Sequence, residues 1–170
     1  MVQVSSAATH KSPDTMLDEA EWMVFNTELM TDHDPVVTIN WQGRGGAIWN
    51  LMQFITTLDA IKSRGQKIVM NVTGVGASSQ AIAVCYGDEI IMKANAQLMF
   101  HPLSCNARGE AYERCTPEQD DLGKMLLSQC VDKGIIPQHL ADKSMQTDEV
   151  WVRKAPNGQF EYGVRHDPRQ

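Results

Sequence analysis

The sequence predicts an α/β fold in which a largely parallel sheet is packed against helices. Three observations carry that expectation. Short β-branched runs alternate with longer amphipathic ones, as in βαβ proteins. Between Val36 and Val72 a strand pattern, a glycine turn, a helical pattern and a second strand pattern follow one another. The second strand then leads through the small-residue turn Gly74-Val75-Gly76-Ala77-Ser78 directly into another apolar segment.

Taken in order, the Ser-, Ala- and Thr-rich stretch at residues 1–11 has no apolar periodicity and is expected to be a mobile tail or an edge segment. With residues 1–15 set aside as tail, the remainder, 16–170, shows no repeat or low-complexity block and is expected to be one domain. Ser12 before Pro13 has the form of an N-cap and first helical residue, and Met16, Leu17, Ala20, Met23, Val24, Thr27 and Met30 follow at spacings of three and four. Asp32-His33-Asp34-Pro35 ends that helix. Val36–Asn40 is too short and too β-branched for a helix and is predicted as a buried strand, followed by the turn Gly43-Arg44-Gly45-Gly46. Ile48, Leu51, Met52, Ile55, Leu58 and Ile61 trace one helical face, with Gly65 just past its end. A strand over 67–72 completes a βαβ unit with parallel strands.

A helix is expected over 79–86, and short strands over 89–92 and 97–100. Thr116 and Gln119 form a capping box that opens a helix with Leu122, Met125, Leu126, Cys130 and Val131 on one face and Gly134 as its stop. A short helix over 138–143 precedes a strand at Glu149–Val152.

Composition narrows the function classes. The net charge of -6 argues against a polyanionic partner, because nucleic-acid binding requires a basic face. Arg44 between glycines is a turn rather than an RGG element. No apolar run reaches the roughly 18 residues of a membrane span, and the N-terminus lacks a secretion-signal pattern, so a cytoplasmic location is expected. Cys85, Cys105, Cys115 and Cys130 match no metal or redox spacing and are expected to be reduced structural thiols. Gly74-Val75-Gly76 lacks a Walker lysine and is no nucleotide loop. No cofactor or metal is implied.

The chemistry that remains is acyl transfer. It requires a hydroxyl nucleophile, a base within reach, a group that orients the base and donors for the oxyanion. Ser78, at a strand-to-helix turn, is the candidate nucleophile; a plain N-cap serine is the other reading, and Ser79 is its rival. His101 follows a strand-like run and is the candidate base, whereas His10, His33, His139 and His166 follow no buried strand. The amides of Gly46 and Ser79 are candidate oxyanion donors. Asp148 and Glu149, just before Trp151, are both candidates for the orienting acid.

Four segments together resemble the Clp protease proteolytic subunit family: Thr38-Ile39-Asn40 followed by Gly45-Gly46, Gly74-Val75-Gly76-Ala77-Ser78, Met99-Phe100-His101-Pro102, and Glu161-Tyr162-Gly163-Val164. The resemblance covers about residues 16–167. It implies a ClpP/crotonase-like spiral of repeated ββα units with a handle helix within 108–133. It also implies the nucleophile at Ser78, the base at His101 and an oxyanion amide at Gly46, with an acid near Trp151 that falls on Asp148 or Glu149. The order Ser, His, acid fits that family. Three departures accompany the match: Trp41-Gln42-Gly43-Arg44 stands where the family has Ser-Pro, Gln80 stands where glycine is usual, and the acid is doubled. The chain also begins near the family's first helix.

What the resemblance implies, then, is a serine endopeptidase acting on protein or peptide substrates. It further implies a ring-based homo-oligomer, similar to divergent bacteriophage-encoded members that process capsid or scaffold proteins, with docking to an ATP-driven unfoldase less secure. Two other classes fit the pattern: a non-catalytic assembly subunit, motivated by Gln80 and the altered turn, and a crotonase-like acyl-CoA binder.

Overall fold

In the computed structural model, residues 8–105 and 115–166 are described. Strands β1 (Thr9–Lys11), β2 (Val36–Gly43), β3 (Lys67–Ala77), β4 (Glu89–Met92), β5 (Gln97–Phe100), β6 (Asp148–Lys154) and β7 (Phe160–His166) form one sheet. Helices α1 (Glu19–Thr31), α2 (Ile48–Ser63), α3 (Ser79–Val84), α4 (Pro117–Asp132) and α5 (Gln138–Gln146) connect them. The sheet runs β1-β2-β3-β5-β6-β7, with β4 alongside the first half of β3. Pairing is parallel from β1 through β5 and antiparallel for β5-β6-β7. The expected βαβ unit is β2-α2-β3.

The core lies where the helices meet the parallel strands. Val37, Ile39 and Trp41 alternate inward along β2 and pack with Ile68, Met70 and Val72 of β3, all fully buried. Trp22, Phe25, Trp41 and Phe54 form an aromatic cluster in which Trp41 stacks on Phe54 at 4.9 Å between ring centroids. Trp41, a departure from the family pattern, is thus a core residue.

Several expectations are corrected. The first helix opens at Glu19 with Asp18 as its cap, not at Pro13; Ser12 instead donates its hydroxyl to the Gln42 carbonyl and accepts from the Gln42 amide. Its buried face is Trp22, Phe25 and Leu29, while Met23, Val24 and Met30 are exposed, because the large aromatic rings outcompete the aliphatic stripe for the core. Residues 9–11 pair with β2 as an edge strand, and His10 lies 2.7 Å from the Asp32 carboxylate. Residues 1–7 of the expected tail and 106–114 of the expected handle fall outside the described residues. The handle helix itself is α4, where Thr116 and Gln119 complete the capping box as expected.

The cysteines are also corrected: Cys85 is bonded to Cys130, and Cys105 to Cys115. No local spacing signals either pair, because the partners are brought together by packing of α3 on α4 and by the chain on either side of 106–114. The first bond, with the Tyr86 hydroxyl donating to the Leu126 carbonyl at 3.1 Å, fastens the end of α3 to the handle helix. Burial, and secondarily the charge of Asp59, push the Tyr86 hydroxyl up to about 12, so it remains a donor. Among the described residues, no helix is long and apolar enough to cross a membrane.

Candidate active site

β3 ends at Ala77 and α3 begins at Ser79, so Ser78 alone makes the turn between them. It does so at φ 58° and ψ -130°, the one non-glycine residue with positive φ among those described. That conformation is costly for a residue with a Cβ, and such strain collects at functional sites. Ser78 occupies the N-cap position, yet its hydroxyl makes no cap hydrogen bond. Its amide donates to the Met99 carbonyl at 2.7 Å, which ties the turn to the strand that ends one residue before His101.

The neighbouring hydroxyl behaves differently. Ser79 is 5% exposed, and its Oγ donates to the Gly46 carbonyl at 3.1 Å. Ser79 therefore straps the Ser78 turn to the glycine turn, whereas the Ser78 hydroxyl caps no helix amide.

The glycine turn lies directly over Ser78. Gly45 has φ 86°, and a Cβ there would come within 2.5 Å of the Ser78 Cβ, so the approach is open only to glycine. Gly46 sits opposite Met16 in a parallel bridge whose hydrogen bonds run from the Met16 amide to the Gly45 carbonyl and from the Ala47 amide to the Met16 carbonyl. The Gly46 amide lies outside that pair of bonds.

His101 follows β5 and is half-buried. Its Nδ1 lies 2.7 Å from the Pro102 carbonyl oxygen, which only accepts, so a hydrogen bond there places a proton on Nδ1. Ser78, Ser79, Gly46 and His101 all line one groove of about 610 Å³. Ile48, Ile82, Phe100, Leu122 and Met145 supply much of its wall, and among the described residues Arg44 is the one Asp, Glu, Lys or Arg on it.

Asp148 and Glu149 do not line the groove. Both begin β6, where the antiparallel register pairs Phe100 with Val150. One residue past the end of β5 is His101, and next to Val150 on β6 is Glu149. Asp148 lies 3.5 Å from His166 of β7 across the Asp148–His166 pair of the ladder. Among the described residues, no group of His, Cys, Asp and Glu side chains has the arrangement of a metal site.

Sequence reasoning missed Gln80 as a participant. Its side chain is fully buried and its carboxamide spans the gap between α3 and the glycine turn. A glutamine two residues after Ser78, where a glycine is usual, together with the three glycines of the other turn, was the available signal.

No protein-family model and no curated protein matches the chain. Solved structures do. The ClpP protease catalytic domain from Plasmodium falciparum matches with a TM-score of 0.62 and 14% identity, over 91% of this chain and 76% of that one. A serine-to-alanine variant of the 1510-N membrane-bound stomatin-specific protease matches with a TM-score of 0.62 and 10% identity, over 81% and 68%. A lysine-to-alanine variant of the same protease, in complex with a substrate peptide, gives 0.61 and 9%, over 84% and 67%. At these identities the likeness is one of fold: the chain has the ClpP-like α/β fold.

Proposed function

We propose that this chain is a serine peptidase of the ClpP-like type. The observation that carries the reading is Ser78, held at a strained strand-to-helix turn with its hydroxyl uncommitted to capping, in the same groove as His101 and Gly46. A plain N-cap serine would satisfy a helix amide instead.

In this mechanism Ser78 Oγ attacks a peptide carbonyl carbon while His101 Nε2 takes its proton. The resulting oxyanion accepts from the amides of Gly46 and Ser79. His101 returns the proton to the leaving nitrogen as the C–N bond breaks, leaving an acyl ester on Ser78. Water, deprotonated by the same nitrogen, then cleaves the ester. Glu149 is assigned to orient the imidazole in preference to Asp148, because it is next on β6 to Val150, which pairs with Phe100; in that role its carboxylate takes the His101 Nδ1–H over from the Pro102 carbonyl.

The protein acts as a homo-oligomer. Leu17, Met23, Val24 and Trp49 are between 59% and 74% exposed, apolar surface that contact with a second copy would cover. A role in processing bacteriophage proteins fits the resemblance and follows from no single residue.

The test is a fluorophosphonate probe, read by intact mass and by the modified peptide, with Ser78→Ala as control and a size measurement on the same sample. Label on Ser78 alone is the expected result. An assembled protein with no label at Ser78 overturns the peptidase reading.

A further inference from the structure

Gln80 replaces a glycine in the family pattern, and the turn Trp41-Gln42-Gly43-Arg44 replaces Ser-Pro, so both departures stand on the two sides of the same gap. The structure makes them one device. The Gln80 side chain is 0% exposed and reaches out of α3 under the glycine turn. Its Oε1 accepts from the Gly45 amide at 2.8 Å. Its Nε2 donates to the Pro13 carbonyl at 2.7 Å and to the Gln42 carbonyl at 3.3 Å. The backbone carbonyl of Gln80 accepts from Trp41 Nε1 at 2.8 Å, which anchors the other end of the same segment in the aromatic cluster.

Gly43 is the counterpart. At φ 155° a Cβ built on it would overlap the Gln80 carboxamide, so the turn admits that side chain only because residue 43 has none. Both Nε2 hydrogens and one Oε1 lone pair are used, which accounts for the donor capacity of a buried amide. An amide so satisfied is a rigid strut, whereas a partly satisfied one would be a liability.

The strut spans the gap that an oxyanion hole must hold constant. One proposed donor, the Gly46 amide, is on the turn that Gln80 grips at Gly45; the other, the Ser79 amide, is adjacent to Gln80 on α3. Donors of this kind work by being fixed before charge develops, and a displacement of about 1 Å costs on the order of 100-fold in rate.

We propose that Gln80 is a positioning residue that sets the separation of the two oxyanion amides, with Gly43 as the vacancy that receives it. The inference rests on the peptidase reading. It also reverses the sense of the departures: the lengthened turn and the glutamine compensate each other, and neither is a mark of lost chemistry. Gln80 touches no substrate; it acts through Gly45.

The experiment compares wild type, Gln80→Met and Gln80→Glu in their assembled form, measuring fluorophosphonate labelling rate, inhibition by a peptide boronate, and affinity for an unreactive peptide in the Ser78→Ala background. Gln80→Met keeps the volume and removes the hydrogen bonds. Its labelling rate and boronate affinity are expected to fall about 10- to 100-fold, with unreactive-peptide affinity within about threefold of wild type. Gln80→Glu keeps the acceptor, and its protonated form restores one donor. Its labelling rate, taken as a ratio to wild type at each pH, is expected to rise as pH falls. A purely structural role would change melting temperature while leaving boronate and unreactive-peptide affinities in their wild-type proportion. Should Gln80→Met fail to fold, the pH-dependent ratio for Gln80→Glu decides the matter. Wild type labelled at Ser78, together with a folded Gln80→Met labelled at the same rate or a pH-independent Gln80→Glu ratio, overturns the role of Gln80 and leaves the peptidase reading standing. Wild type without label in the assembled state overturns both.

Discussion

The two sides of the groove are held in different ways. On the side of Ser78, Trp41 and Gly45 hydrogen-bond to Gln80 and Ser79 to Gly46, among mostly buried groups backed by the aromatic cluster. On the base side, His101 follows a four-residue strand, and β6 and β7 continue the sheet as an antiparallel hairpin whose last strand is exposed along nearly its whole length. Buried polar networks are rigid when every member is satisfied, whereas residues at strand ends depend more on register for their placement. On the proposed reading, the oxyanion side is therefore built into this chain, and the alignment of His101 with its acid is the part that a second copy would most influence.

The largest effect that would break this comparison is at the nucleophile. Ser78→Ala is expected to abolish peptide cleavage, a loss on the order of 10⁶-fold in kcat, with an unchanged melting curve. Cleavage by the purified variant at the wild-type rate would remove Ser78 from the chemistry. On the base side, Glu149→Gln is expected to lower kcat by about 10³- to 10⁴-fold and Asp148→Asn by less than about threefold. The reverse ranking in steady-state kinetics would move the orienting role to Asp148.

Trp41→Ala tests the rigidity of the nucleophile side. It removes a fully buried ring stacked on Phe54 and the donor to the Gln80 carbonyl, and is expected to cost about 3–5 kcal/mol in denaturant unfolding. The disulfide of Cys85 with Cys130 sharpens the same point. Replacing both by serine is expected to cost about 2–4 kcal/mol, and free-thiol titration of the unreduced, unfolded wild type should find none. Four titratable thiols would restore the reading from sequence.

The smallest expected effect is at the sheet edge, where Asp32 joins β1 to the end of α1. Burial opposes its ionisation, but the hydrogen bond with His10, the Asp34 amide and the charges of His10 and His33 outweigh it and hold the carboxyl below its ordinary range. A depressed folded-state pKa stabilises the fold fully above the ordinary carboxylate range, and that contribution is lost as pH falls through the lowered value. Asp32→Asn should accordingly flatten the acid limb of stability against pH and leave peptide cleavage at neutral pH near wild type. An acid limb identical in the two proteins would discount the pair.

Sequence alone determined the alternation of strands and helices and the positions of the two turns, because hydrophobic period, glycine and proline act locally. The capping box at Thr116 and the βαβ unit were legible for the same reason. The shared surroundings of Gly46, Ser78, Ser79 and His101 were also legible, since each lies at a strand end or a turn marked by its own neighbours, whereas Asp148 and Glu149 lie off the groove. Tertiary structure decided everything that depends on partners distant along the chain. The buried face of α1 was set by Trp22 and Phe25 meeting Phe54, not by the aliphatic spacing. Which serine hydroxyl is claimed by the scaffold was decided by the Gly46 carbonyl, 33 residues from Ser79. The pairing of the cysteines and the place of Gln80 under Gly43 were decided in the same way. Spacing and propensity report on neighbours within a few residues, whereas burial and hydrogen-bond satisfaction are properties of what the completed fold brings together.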